Sequence, residues 1–166
     1  MSTKTQDARI IEIGEDTGPE PWACLIRAAF AAVAREYGLT PSNCPSHPAF
    51  LETERLAQMR AEGAHFLGLS LADRLVGLVA VKIRGMQCHI EKLSVLPVYR
   101  HRGYGRRLMD AAQDYARERG CRQASIGIID ENRILKGWYG AMGFAVAETR
   151  SYDHLPFTVC MMVKSL

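Results

Sequence analysis

The sequence predicts an α/β protein, with a central mixed, mostly antiparallel sheet flanked by helices. Three features predict it. Residues 64–95 hold three apolar runs separated only by turn residues, the pattern of an antiparallel meander. Beyond Pro97 the hydrophobic period changes, and helical patterns alternate with strands. The chain has 166 residues, 48% hydrophobic and 23% charged, which suits one domain (1–166) with one sizeable core.

The elements follow in order. Met1 to Ala8 reads as a loose tail, and Ile10, Ile11 and Ile13 mark a first strand over Ala8 to Ile13. Gly14 to Pro21 is turn-rich. A helix follows, with Pro21 in its first turn, a stop at Gly38, and Trp22, Leu25, Ile26, Ala29, Phe30 and Val33 on one face. Pro41, Pro45 and Pro48 make Leu39 to Phe50 a loop. Leu51 to Glu62 reads as a short helix ended by Gly63. The meander is Ala64 to Leu71, Leu75 to Ile83 and Cys88 to Val95, with turns at Ala72-Asp73-Arg74 and Gly85-Met86. Gly105 to Arg119 is a helix with Leu108, Met109, Ala112, Tyr115 and Ala116 inward and Gly120 as its stop. Gln123 to Ile129 is a strand and Asn132 to Met142 a helix. Phe144 to Glu148 and Thr158 to Val163 close the chain as strands.

Composition narrows the function. A formal charge of +3 is too small to imply a nucleic-acid or membrane partner. The five cysteines, Cys24, Cys44, Cys88, Cys121 and Cys160, form no C-x-x-C pair, which points to a reducing, cytoplasmic setting. Cys44 and His47 are three apart, but no second pair has ligand spacing, so no metal site is expected. The polar N-terminus lacks the apolar core of a signal peptide, and no apolar run reaches bilayer length.

The segment carrying chemistry is Leu93 to Arg107, LSVLPVYRHRGYGRR. It reads as a strand feeding a tight turn that opens a helix. Helix N-termini present unpaired N–H groups and a partial positive charge, which suits a phosphate. Gly103 and Gly105 allow close backbone approach, and Arg100, Arg102, Arg106 and Arg107 make the turn basic. A solvated basic helix cap is the plain alternative. The turn is neither a Walker A loop, lacking G-K-S/T, nor a Rossmann fingerprint, since Leu108 stands at the third glycine. It also lacks the interleaved aromatics of an RNA-binding run.

Arg100-x-x-Gly103-x-Gly105, after Leu93-x-Val95 and Pro97, resembles the acetyl-CoA motif Q/R-x-x-G-x-G/A of the GNAT acetyltransferase superfamily. Asn132 to Phe144, NRILKGWYGAMGF, is similar to its second signature, N-x-x-A-x-x-L/F-Y-x-x-x-G-F. Asn132, Tyr139, Gly143 and Phe144 are in register, while Leu135 and Trp138 depart from it. The resemblance extends to the order of elements over nearly the whole chain. It implies the GNAT fold, acetyl-CoA as co-substrate and an amine acceptor. It further implies that the backbone of His101, Arg102, Gly103, Tyr104, Gly105 and Arg106, beside Arg100, holds the pyrophosphate. Leu93, Ser94 and Val95 would pair with pantetheine, Asn132 would contact the coenzyme arm, and the thioester would lie between the strands at Cys88 to Val95 and Gln123 to Ile129. The loops at Tyr37 to Phe50 and Arg150 to Phe157 would shape the acceptor site, with Glu52, Glu54, Asp153 and His154 as nearby polar groups. Dimers are frequent in the superfamily, so a homodimer is compatible with the resemblance.

The implied reaction is amine attack on the thioester. An alkyl ammonium has a pKa near ~10, so freeing its lone pair near neutral pH costs roughly 4 kcal/mol and calls for a base. Glu91 is the candidate: it precedes Leu93 by two residues on a strand, so both are expected on one face. Pairing with Lys92 is its non-catalytic alternative. Tyr139 matches the superfamily's general acid, and a buried core tyrosine is the alternative. The N–H near Val95 would polarise the carbonyl. His89, two residues from Glu91, is expected on the same face as a candidate proton-transfer aid, with a structural or solvent-facing histidine as the alternative, whereas Cys88 and Cys121 read as core. The competing function is an inactive acyl-CoA-binding sensor or interaction module.

Overall fold

The computed structural model describes residues 7–166. The expected tail at residues 1–6 lies outside them. Ala8, assigned to both tail and strand, is the buried first residue of β1 (Ala8–Glu12) and pairs with Leu71. The other strands are β2 (His65–Leu71), β3 (Arg74–Arg84), β4 (Gln87–Val95), β5 (Gln123–Ile129), β6 (Ala145–Ser151) and β7 (Thr158–Ser165). They form one seven-stranded sheet in the order β1-β2-β3-β4-β5-β7-β6. Only β4 and β5 run parallel. The helices are α1 (Glu20–Glu36), α2 (Thr53–Ala61), α3 (Tyr104–Glu118) and α4 (Arg133–Ala141). The fold class is the one predicted, and boundaries moved little. The second helix starts at Thr53 because Glu52 is extended (φ −80°, ψ 143°), and β6 runs past Glu148 to Ser151.

Each face of the sheet carries one pair of helices. Leu108, Met109, Ala112 and Ala116 recur at helical spacing and bury α3 on Val79, Val81, Ile90 and Ile126, beside Tyr139 and Met142 at the end of α4. On the opposite face, Trp22 and Ile26 of α1 and Leu56 and Met59 of α2 pack on Phe66, Leu78 and Ala80. A third cluster joins the end of α1 and the proline-rich loop (Leu39, Cys44) to Ile129, with Leu155 and Phe157 of the β6–β7 loop packed against it.

Two irregularities shape the centre. The parallel pairing of β4 and β5 spans only Gln87–His89 with Gln123–Ser125; from Ile90 onward β4 has no partner on that side. In addition, Lys92 and Leu93 together face Val79 alone, and Lys92 has φ +58°. This is a β-bulge.

The turn into α3 is seated by a close approach at Gly77. A Cβ there would lie 2.8 Å from the Ser94 carbonyl oxygen and 2.9 Å from Leu108 Cδ1. Neither backbone nor core leucine can yield cheaply, so Gly77→Ala should destabilise the fold by about 1–3 kcal/mol. A lowered urea midpoint with an unchanged m-value would register this, and an unchanged midpoint would refute it.

Candidate active site

Where β4 leaves β5, a cavity of about 760 Å³ opens between them. Its floor is Ile126, Gly127 and Ile128 of β5, one wall is Ile90 to Leu93 and Val95 of β4, and the N-terminal turn of α3 forms one end. Among the sequence-derived candidates, Glu91, Leu93, Val95, Arg100, His101, Gly103, Tyr104, Gly105, Arg106, Asn132 and Tyr139 line it. Ser94 and Arg102 do not. Ser94 is buried on the α1 side opposite Leu78, its hydroxyl donating to the Lys92 carbonyl at 2.9 Å. The Arg102 guanidinium stands 5.6 Å from the Tyr99 ring.

The α3 turn has the features of an anion site. Gly103 is its N-cap at φ +80°, a conformation that disfavours side chains. The first backbone bond of the helix runs from Arg107 N–H to the Gly103 carbonyl at 3.1 Å. Among the described residues, the N–H groups of His101 to Arg106 have no protein acceptor. These unpaired donors at the positive end of α3 fit a pyrophosphate. The arginines divide the work. Arg100 donates to the Val95 carbonyl (Nε, 3.2 Å) and to the Ala29 carbonyl, fastening the turn to β4 and α1. Arg107 donates to the Ala8 carbonyl at 2.5 Å. Arg106 is left on the outer rim, 3.8 Å from Asp110.

Helix α4 supplies the other wall. Asn132 caps it, its Oδ1 accepting from Leu135 N–H at 3.1 Å, so that oxygen is committed to the helix. Trp138 lies over Gly105: a Cβ there would meet its ring at 3.4 Å. The residue that departs from the second signature thus packs α4 on α3. Tyr139 is 6% exposed and edge-on to Trp138, with ring centroids 5.0 Å apart. Its hydroxyl makes no hydrogen bond among the described residues, and burial raises its pKa well above the ordinary phenol value. It remains a proton donor at neutral pH.

The acid–base wall corrects one expectation. Glu91 and Leu93 do not share a face. Glu91 stands opposite Ala80, on the α1 side, while Leu93 packs with the α3 core, because the bulge at Lys92 inserts one residue and reverses the alternation. Both still line the cavity. Glu91 Oε2 is 3.3 Å from Lys92 Nζ. It is the only carboxylate lining the cavity among the described residues. His89, at the fork, shares its Nδ1 with Ser125 Oγ at 3.0 Å, and that hydroxyl donates to the Cys88 carbonyl at 3.3 Å. The serine therefore accepts from Nδ1–H, and neutral His89 keeps a bare Nε2.

The sequence did not single out His47 for this site, nor the ring of Phe30. His47 comes from the proline-rich loop and lines the cavity beside Phe30, with ring centroids 5.8 Å apart. No periodicity could place it, because a proline loop has none. Glu52, Glu54, Asp153 and His154 do not line the cavity. Among the described residues, no group of three or more His, Cys, Asp or Glu could hold a metal ion, and no helix is long and apolar enough to cross a membrane.

The site is thus a parted sheet beside a helix turn with unpaired N–H groups, with a buried tyrosine between. The sequence matches the model of the Acetyltransferase (GNAT) family over residues 30–144, and the chain belongs to that family. Solved structures share its fold. The PaiA N-acetyltransferase of Thermoplasma acidophilum, in complex with coenzyme A, matches with a TM-score of 0.79 at 17% identity, covering 96% of this chain and 99% of that one. The ribosomal-protein-S18-alanine N-acetyltransferase of Escherichia coli gives 0.74 at 15% identity, over 96% of this chain and 94% of that one. A GNAT family acetyltransferase of Elizabethkingia anophelis with acetyl-CoA bound gives 0.69 at 14% identity, over 98% and 100%. No curated protein sequence matches.

Burial holds His47, His65 and His89 below the ordinary histidine value of 6.5. The unfolded chain then binds protons at a higher pH than the folded chain, so acid favours unfolding. Stability should be full above about pH 6.5 and decline as pH falls towards the folded values. Urea midpoints at about pH 7.5 and 5.5 test this, and His89→Gln should flatten the difference. A midpoint that rises on acidification would reverse the sign.

Proposed function

We propose that this chain is a one-domain, cytoplasmic N-acetyltransferase that moves the acetyl group of acetyl-CoA to a primary amine. The observation that carries the reading is the set of unpaired N–H groups from His101 to Arg106, opening into the same cavity as Tyr139 and Glu91. The unpaired cysteines fit a reducing compartment.

The thioester supplies the acetyl group and a thiolate leaving group. The ammonium first gives one proton to the base; the freed nitrogen bonds to the acetyl carbon, the carbon–sulfur bond breaks, a second proton leaves nitrogen and one reaches sulfur, so the net reaction releases one proton. Residues 101–106 bind the pyrophosphate through backbone N–H groups, and Arg106 adds charge at the rim. The open edge of β4 at Leu93 to Val95 offers amide groups to the pantetheine arm, and the Asn132 side-chain amide faces the same arm. Glu91 takes the proton from nitrogen, directly or through water, once the substrate ammonium competes with Lys92 for its carboxylate. Tyr139 delivers a proton to sulfur, a role supported by its place in the cavity lining and a hydroxyl without a protein partner among the described residues. The apolar lining excludes water and strengthens each polar contact.

Acetyl-CoA should bind one site by calorimetry. Gly103→Val, which forces a β-branched residue into φ +80°, should weaken binding by at least ~tenfold while circular dichroism persists. Wild-type affinity in that variant would remove the turn from the site.

Tyr139→Phe should lower kcat by about a hundredfold or more while acetyl-CoA affinity stays within about twofold. Equal losses in both would assign Tyr139 to packing. Glu91→Gln should abolish the acidic limb of the kcat/KM profile. A profile identical to wild type would exclude Glu91 as the base.

A further inference from the structure

The end of the cavity away from the α3 turn is apolar. Phe30 and Val33 come from α1, Leu155 and Phe157 from the β6–β7 loop, and Met161 from β7. Val33, Leu155 and Phe157 also pack against buried Leu39, Cys44 and Ile129, which fixes this wall in place. The one carboxylate in reach is Glu91, already 3.3 Å from Lys92 Nζ. A polyamine or an aminoglycoside would carry several cations into this space. Each would be desolvated without a counter-charge, at a cost of several kcal/mol apiece on the order of ion burial in proteins.

His47 adds direction. It is 7% exposed. Its Nδ1 accepts from Ala49 N–H at 3.2 Å, so the neutral ring carries its proton on Nε2. That Nε2–H has no protein partner among the described residues, and the ring lines the cavity. Burial and the nearby Lys92 charge both keep the ring neutral. An N–H donor in this position lacks an acceptor that a substrate oxygen can supply.

We infer that the acceptor is a primary amine on an apolar, aromatic or branched body that also carries one hydrogen-bond-accepting oxygen, of carbonyl or carboxylate type, held by His47 Nε2–H. This deepens the acetyl-transfer reading and rests on it.

The test measures free-thiol release from acetyl-CoA with phenylalaninamide, phenethylamine, spermidine, kanamycin and the peptide Phe-Ala-Ala-Ala. Binding of each amine to the coenzyme A-loaded protein is measured in parallel by calorimetry. The kcat/KM for phenylalaninamide should exceed that for phenethylamine and spermidine by at least ~tenfold, because a site built to bond an oxygen rejects the analogue lacking it. His47→Phe should bring the phenylalaninamide-to-phenethylamine ratio close to one, and His47→Gln, which keeps a donor, should restore much of it. Turnover of the peptide would assign the chemistry to a peptide N-terminus, and turnover of the amide alone to a small molecule; either supports the inference. Acetylation of spermidine or kanamycin in preference to phenylalaninamide overturns it and leaves acetyl transfer standing. So does a preference that survives in His47→Phe. Binding of the apolar amines without thiol release from any amine sinks acetyl transfer and keeps the acceptor chemistry. Coenzyme binding with no binding or turnover of any apolar amine overturns the inference.

Discussion

The site depends on the parting of two parallel strands. β4 and β5 pair only over Gln87–His89 and Gln123–Ser125. Antiparallel neighbours hold their outer edges, β3 on one side and β7 on the other, so the sheet survives a gap at its centre. Unpaired backbone groups along that gap are costly when dry, and a strand-like ligand that pairs with them removes the cost. The gap is therefore a cavity bordered by open strand edge. α3 then follows β4 through a short turn, so its positive N-terminus lies at the mouth of the gap.

The bulge at Lys92 lets one short strand serve two faces. Without it, Glu91 and Leu93 would alternate together, and Leu93 would join Glu91 on the α1 side. With it, Leu93 and Val95 remain with the α3 core while Glu91 faces α1 and the loops beyond. The two cavity histidines are set in opposite senses by their partners. His89 donates through Nδ1 to Ser125 and leaves Nε2 bare, whereas His47 accepts at Nδ1 from Ala49 N–H and presents Nε2–H. One ring offers a lone pair and the other a proton, at neutral charge in both.

Much of this was legible in the sequence, and the exceptions have physical causes. The meander, the periodic face of α3 and the glycine turn are written in local patterns, so the fold class and most of the residues that line the α3 end of the cavity followed from them. The bulge was not legible, because Lys92 is no glycine and its φ of +58° is imposed by packing on either side. The anchoring contacts of Arg100 were not legible for a related reason: its reach to the Ala29 carbonyl depends on where α1 crosses the sheet. His47 was noted only for its spacing from Cys44, and that spacing serves a loop that folds over the cavity. Boundaries such as Ser151 shifted because strand pairing, not composition, ends β6.

The two ends of the cavity are built from different parts of the fold. At the coenzyme end, the turn is tied by Arg100 to two elements, by Arg107 to β1 and by Trp138 to α4, so its unpaired N–H groups are pre-oriented. At the other end, α1 and β7 are joined in the wall by loops at residues 37–52 and 152–157, whose shared anchor is Ile129 at the end of β5. Substitutions there can reshape the acceptor pocket without touching the α3 turn or the β3–β4 ladder. Loop-borne specificity on a scaffold-borne donor site is how one fold can keep its acetyl donor while its acceptor changes. In this chain the loops present Leu155, Phe157 and the His47 ring to the cavity.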